Sequence, residues 1–270
     1  MGAESPILSG VLVVALVNLQ HGHRSWAWRR LVQGPGSLGP QAGMRFCRLM
    51  GSGANGGFGL RPSTSHQGIV ALFEDIAQAE AFATGQTLQA YRDRSEHSWV
   101  GQLSIASARG CWGGRPWVPT STTQLDGLAA PVNAADTPMP LAPLAALTRA
   151  SIRPGRALRF WRHAPAAQAQ MAQARGCLLA VGLGEAPLLR QCTFSLWSDL
   201  EAMRAYAGQG AHRQAVEQVQ AHDLFSESLF LRMQLLAQSG HWPCAAWSTP
   251  VNRLNPSLPG AQGAARRAGR

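Results

Sequence analysis

The chain repeats itself. The segment IVALFEDIAQAEAFA, residues 69–83, aligns with TFSLWSDLEAMRAYA, residues 193–207. Asp75 falls on Asp199, Phe73 on Trp197 and Phe82 on Tyr206, all at an offset of 124 residues (199 − 75, 197 − 73, 206 − 82). Each copy reads as an apolar strand, an Asp at an N-cap, then a helix with apolar spacing. An aspartate there accepts from the free N–H groups of the first helical turn. Farther on, RGCW (109–112) matches SGHW (239–242) at an offset of 130, so short insertions separate the two matches. A duplicated unit restricts the fold to architectures in which two similar halves pack or pair.

In the first half the pattern predicts strand Val11–Val17, helix Arg24–Leu31, strands Arg45–Met50 and Gly68–Phe73, helices Ile76–Ala83 and Leu88–Glu96, and strand Leu103–Trp112. In the second it predicts strand Ala145–Ile152, helix Gly155–Ala174, strands Cys177–Leu183 and Gln191–Trp197, helices Leu200–Ala207 and His212–Val219, and strand Leu229–Leu236. Each half has the order βαββαβ with one extra helix, a ferredoxin-like unit. The expected fold is α+β, with tandem ferredoxin-like (βαββαβ) repeats at 7–112 and 144–247. Two such units can place their free sheet faces together and enclose a barrel-like interior. That interior, or the space between it and the helices, would form a pocket for a large apolar ligand. Residues 113–143 are rich in Pro, Gly, Ser and Thr and read as an exposed linker. Residues 248–270 are similar and read as a disordered basic tail.

The 24 basic residues are all arginine, and the formal charge is +10. Without lysine, Schiff-base catalysis and a Walker-type phosphate loop are excluded. The basic balance suits an anionic partner. The arginines are scattered, however, and no nucleic-acid motif occurs, so nucleic-acid binding is not expected. The five cysteines include no CxxC, which points to a reducing, cytoplasmic setting and away from a zinc site. ILSGVLVVALVNL (7–19) is shorter than the roughly 20 residues of a membrane-spanning helix and carries no positive flank. Its β-branched centre reads as a buried strand, so neither a signal peptide nor a transmembrane helix is expected.

His212 opens a helix after a small Gly208–Gln209–Gly210–Ala211 run. At the 124-residue offset its counterpart is Leu88. Its neighbours one and two turns on are Ala215, Val216 and Val219, a small apolar face that would turn the ring inward. Two readings stay open. One is a core or first-turn histidine bonded to a backbone carbonyl. The other is a haem ligand, one imidazole with open space beside it. No second His or carboxylate shares that face, so a zinc or non-haem iron triad is not supported. The other histidines read as structural or solvent-facing. GSGANGGFGL (51–60) lacks GxGxxG spacing before a helix and reads as a flexible connection. No GxSxG elbow occurs. Around LTRASIRPGRALRFWRHAP (147–165), Arg149 and Arg153 flank a strand end, and Arg156, Arg159 and Arg162 are helically spaced. They form either a solvated basic face or partners for haem propionates or an acidic redox protein.

Five stretches together resemble the spheroidene monooxygenase family, the carotenoid 2-ketolases of purple bacteria. They are FCRLMGSGANGGFGLRP (46–62), EHSWVGQLSIASARGCWGG (96–114), LTRASIRPGRALRFW (147–161), LLAVGLGEAPLLRQCTFSLW (178–197) and MRAYAGQGAHRQAV (203–216). The resemblance spans roughly residues 10–242. It implies a fold of the dimeric α+β barrel type and a haem-dependent oxygenase. Such an enzyme would oxygenate C2 of an acyclic, lipophilic carotenoid to a ketone by two successive hydroxylations, with electrons from a reduced ferredoxin. By position, His212 would ligate the haem iron, with Arg149 and Arg153 as cofactor-binding candidates. The substrate's insolubility implies peripheral association with the inner face of the cytoplasmic membrane. A non-catalytic haem- or lipophile-binding protein of the same fold is the alternative. The linker and the tail have no clear counterpart in the family.

Overall fold

The computed structural model describes residues 7–126, 143–186 and 188–243. The expected tail, 248–270, and residues 127–142 of the expected linker lie outside them. The first half contains strands β1 (Val11–Leu19), β2 (Met44–Gly53), β3 (Pro62–Phe73) and β4 (Ser95–Trp112), with helices α1 (Arg24–Gln33), α2 (Ile76–Thr84) and α3 (Gln86–Arg92). A two-residue strand β5 (Arg115–Pro116) folds back on β4. The second half contains β6 (Leu144–Ile152), β7 (Cys177–Ala186), β8 (Arg190–Trp197) and β9 (Phe225–His241), with α4 (Ala157–Gln173), α5 (Leu200–Ala207) and α6 (Gly210–His222).

The strands run β1-β3-β2-β7-β8-β6-β9-β4, and β4 pairs back onto β1. Eight antiparallel strands therefore close a barrel, and one chain supplies all of them. Closure removes every sheet edge from the ring. The two seams between halves differ. β4 and β9 pair from Ser98–His241 to Gly110–Leu229, whereas β2 meets β7 only at Gly51–Gly184 and Ser52–Leu183. The long seam is where the sequence reading fell short. Strand Leu103–Trp112 in fact begins at Ser95, which ends helix α3 at Arg92 rather than Glu96. The residues Ser95–Ser98 are all polar and carry no apolar signal of a strand; pairing to β1 and β9 supplies what composition does not.

Inward residues of all eight strands fill the barrel. Leu12, Val14, Leu16, Met50, Val70, Leu72, Trp99, Leu103, Leu147, Leu179, Val181, Phe194, Leu229 and Met233 form one buried cluster. An apolar ligand pocket inside the barrel, one of the two places expected, is thus excluded by packing; interiors of this kind have no room to spare. The start of the expected linker is also packed. Leu8 bridges Trp117, which is 3% exposed and stands beside Phe46 and Trp112.

The outer faces of the halves are not alike. On the first, Val11, Val13, Ala15, Ile69, Ala71 and Phe73 are sealed beneath α1, α2 and α3 with Ala27, Phe82, Leu88 and Tyr91. On the second, a small cluster of Met171, Cys177, Trp197, Met203 and Tyr206 joins the helices to the sheet. Both Asp N-caps form as expected. Asp75 Oδ1 accepts from Gln78 N at 2.9 Å and Asp199 Oδ1 from Ala202 N at 2.8 Å.

Candidate functional site

The uneven packing has a sequence cause. Across the first sheet, one outward row runs Leu49–Ile69–Ala15–Val100. The corresponding row across the second runs Gly182–Thr193–Thr148–Phe230. The next runs Ala180–Ser195–Ala146–Arg232. Glycine, threonine, alanine and serine replace larger aliphatic side chains, so the floor under α4 and α6 is low. Thr148, Thr193 and Ala146 remain partly accessible, and Phe230 is 42% exposed. Gly57 and Phe58 cover the Gly182 end of the first row, and the Met171, Trp197 and Tyr206 cluster packs on Ala146 and Ala180. The space between sheet and helices, the other place expected for a pocket, is therefore only partly filled around Thr148, Thr193 and Phe230.

His212 stands in the first turn of α6 above this region. It is half-buried, and its ring does not enter the barrel core. It lies against Tyr206 with ring centroids 4.8 Å apart, while Tyr206 packs on Trp197. The Tyr206 hydroxyl donates to the Ala167 carbonyl of α4 at 3.3 Å. The expected apolar face along α6 is only partly turned inward, since Val216 is exposed. His212 Nδ1 is 3.2 Å from the Ala207 carbonyl, which accepts only if Nδ1 carries the proton. Nε2 makes no hydrogen bond among the described residues, so its lone pair is the open one. Burial pushes the ring's pKa below the ordinary histidine value, against the upward pull of the Ala207 carbonyl, and favours the neutral imidazole. A neutral ring with Nδ1–H pinned to a carbonyl is the form in which histidine ligates metals.

The two arginines named with it are elsewhere. Arg149 points into one end of the barrel, on the opposite side of the sheet from His212, and is 3% exposed. Its guanidinium binds Glu227 through Nη1 and Glu185 through Nη2, the latter at 3.0 Å. Glu185 also takes Arg48 at 2.8 Å and the Trp112 indole N–H at 2.9 Å. With two carboxylates already on it, and with the sheet in between, Arg149 does not reach a ligand on His212. The strand alternation carries the reason. Leu147 faces inward, so Arg149 must as well. Arg153 is on the surface, where its Nε meets Asp223 Oδ2 at 3.1 Å. Asp223 follows α6, so this pair lies about 16 Å along the helix from His212 at 1.5 Å per residue. Arg156 joins the same aspartate, whose main-chain carbonyl it also binds.

Two residues that touch His212, and an arginine on the floor row, escaped the sequence reading. Tyr206 supplies the ring beneath it. Gln170 of α4 accepts from His212 N. Arg232 ends the second floor row, faces outward, is exposed, and makes no ion pair among the described residues. The outward alternation of Phe230, Arg232 and Gln234 along β9 was the available signal for Arg232. Two surface clefts, of about 460 and 320 Å³, are lined by polar groups such as Glu74 and Gln124 and by Arg45 and Arg48 respectively. Neither includes His212. No cluster of three or more metal-ligating side chains occurs among the described residues, and no helix among them is long and apolar enough to cross a membrane.

No family model matches the chain. Among solved structures, an aldoxime dehydratase in complex with butyraldoxime superposes with a TM-score of 0.48 at 12% identity, over 83% of this chain and 79% of that one. An anthrone oxidase-like protein gives a TM-score of 0.31 at 13% identity, over 86% and 94%. Overlaps of that size carry no inference about activity. Curated relatives are far closer in sequence. Spheroidene monooxygenase of Rhodobacter capsulatus is 30% identical over 80% of this chain and 86% of its own length. That of Rubrivivax gelatinosus is 43% identical over 86% of this chain and 84% of its own. At that identity over most of both lengths, the chain belongs to the spheroidene monooxygenase family.

Proposed function

We propose that the protein is a haem-dependent monooxygenase that oxygenates C2 of an acyclic carotenoid to a ketone. The single observation that carries the reading is the partly accessible, small-residue floor at Thr148 and Thr193, on the His212 side of the sheet, together with the unbonded Nε2 of that histidine. A planar prosthetic group needs a slot without bulky side chains and one imidazole nitrogen free of other bonds. The second half offers smaller floor side chains and one such nitrogen, which supports the reading; the first half, with Leu88 at the matching place, offers neither.

When bound, haem supplies the activation of dioxygen that amino-acid side chains lack. The chain's residues do the rest. His212 Nε2 is the iron ligand, and the Ala207 carbonyl holds the Nδ1 proton and raises the ring's basicity. Tyr206 packs against the imidazole and limits its movement. Arg232 takes the place first assigned to Arg149 as a partner for a propionate, and Arg153, spoken for by Asp223, stays at the far end of α6. Phe230 gives the floor an apolar surface against which a polyene can lie.

In the same reading, the halves are tandem ferredoxin-like repeats. Their strand orders, β4-β1-β3-β2 and β9-β6-β8-β7, match each other. Reduced ferredoxin is the electron donor, drawn to a chain of charge +10. The protein acts at the membrane surface, where its substrate dissolves.

The test is an absorption spectrum of the purified protein with and without added haem, beside His212→Ala. A Soret band that His212→Ala weakens or shifts supports the ligand assignment, and ketone formation with reduced ferredoxin and a carotenoid supports the activity. Identical haem binding in both proteins would remove His212 from the site. Stable haem binding without turnover would leave a carrier in place of an enzyme.

A further inference from the structure

Three second-half and first-half helices begin at comparable points, and one of them lacks its own cap. Asp75 caps α2 and Asp199 caps α5, each through its third residue's N–H. The N-cap of α6 is Gln209, whose side chain makes no cap bond. The corresponding N–H of α6 is that of His212, and it donates to Gln170 Oε1 of α4 at 3.0 Å. The same amide's Nε2 donates to the Gln209 carbonyl at 3.0 Å. Gln170 thus spans the helix start from outside, using both ends of its amide. The glycine between, Gly210, has a φ of 58° and is packed against this amide. A Cβ there would stand 2.9 Å from Gln170 Oε1. Only glycine enters that conformation without cost, and only glycine leaves the amide its place.

We propose that Gln170 is the positioning residue of His212. It fixes the backbone from which the imidazole is presented, and so the alignment of Nδ1 with the Ala207 carbonyl and the direction in which Nε2 points. The significance for iron binding rests on the haem reading above; the positioning itself does not. Tyr206 acts alongside, joined to α4 at Ala167 and packed against the imidazole with its ring tilted. The arrangement makes α4 the reference against which the histidine is set.

The experiment records long-range ¹H–¹⁵N imidazole spectra of the full-length protein, with His212→Ala used to assign the signal. The wild type is expected to show the Nδ1–H tautomer. Gln170→Ala is expected to lose it, giving the mixture dominated by Nε2–H that imidazole adopts in water. If Gln170→Ala does not fold, Gly210→Ala displaces the same amide and is expected to give the same loss. A wild-type-like tautomer in the folded variant, with or without a lower melting temperature, would reduce Gln170 to a helix cap and overturn the proposal. With haem added, Gln170→Ala is further expected to shift the ferrous iron–histidine stretching band. A wild type that takes up no haem would end the haem reading while leaving the tautomer comparison to decide Gln170.

Discussion

Arg149 and Glu227 meet inside one end of the barrel, and Glu185 holds the other side of the same guanidinium. Truncating Arg149 removes a buried guanidinium shared by two carboxylates. Glu185 keeps Arg48 and the Trp112 N–H, and Glu227 keeps the Gly113 and Gly114 N–H groups, so the cost is expected at or below the low end of the buried-pair range, about 2–3 kcal/mol. Arg149→Ala is expected to lose stability on that scale in urea denaturation. Because the sheet separates Arg149 from His212, the folded variant is expected to take up haem with an unchanged Soret band. A weakened band would return Arg149 to the site.

Glu227 makes the same end pH-sensitive. Burial alone would raise its carboxyl, but the N–H groups of Gly114 and Gly113, together with Arg149, hold it below the usual carboxylate range. A carboxylate with a depressed folded-state pKa stabilises the protein above its unfolded value, and that contribution is lost as pH falls through the folded one. Wild type is therefore expected to lose stability between about pH 5 and pH 3 more steeply than Glu227→Gln. Parallel denaturation curves for the two across that window would contradict this.

Gly182 is where the glycine-rich segment 51–60 finds its purpose. An added Cβ would stand 2.4 Å from the Gly57 carbonyl oxygen and 2.6 Å from the Phe58 ring. Gly182→Ala is expected to cost about 1–3 kcal/mol through overpacking. Gly59→Ala, which has nothing within 4 Å, is expected to change little. Thermal unfolding of the pair provides the comparison.

The cysteines should differ in reactivity. Burial pushes the Cys47 thiol up to about 12 and raises Cys192 as well. The thiolate is the reactive form, so both are expected to resist alkylation of the native protein. Among the described cysteines, Cys111, partly exposed, is expected to be labelled first. Peptide mapping after a timed iodoacetamide pulse would read the order, and early labelling of Cys47 would argue for opening of the first half's outer layer.

Much of this molecule was legible in its local patterns. Apolar runs located all eight barrel strands, and the aspartates located two helix starts, because both signals depend on near neighbours in the chain. The duplicated order of elements followed from them, and His212 was singled out by its small surroundings. What tertiary structure decided was direction and company. Arg149 and Arg153 are four residues apart, yet one faces a barrel interior with two carboxylates and the other faces water beside Asp223. The partners Glu185 and Glu227 come from other strands. Ser95–Ser98 became strand through pairing rather than hydropathy. Likewise, Gln170 lies 42 residues before His212 and meets it only because α4 and α6 pack together. Side-chain alternation says which residues share a face, but closure of the barrel decides which face is core, and helix packing decides which amide reaches which turn.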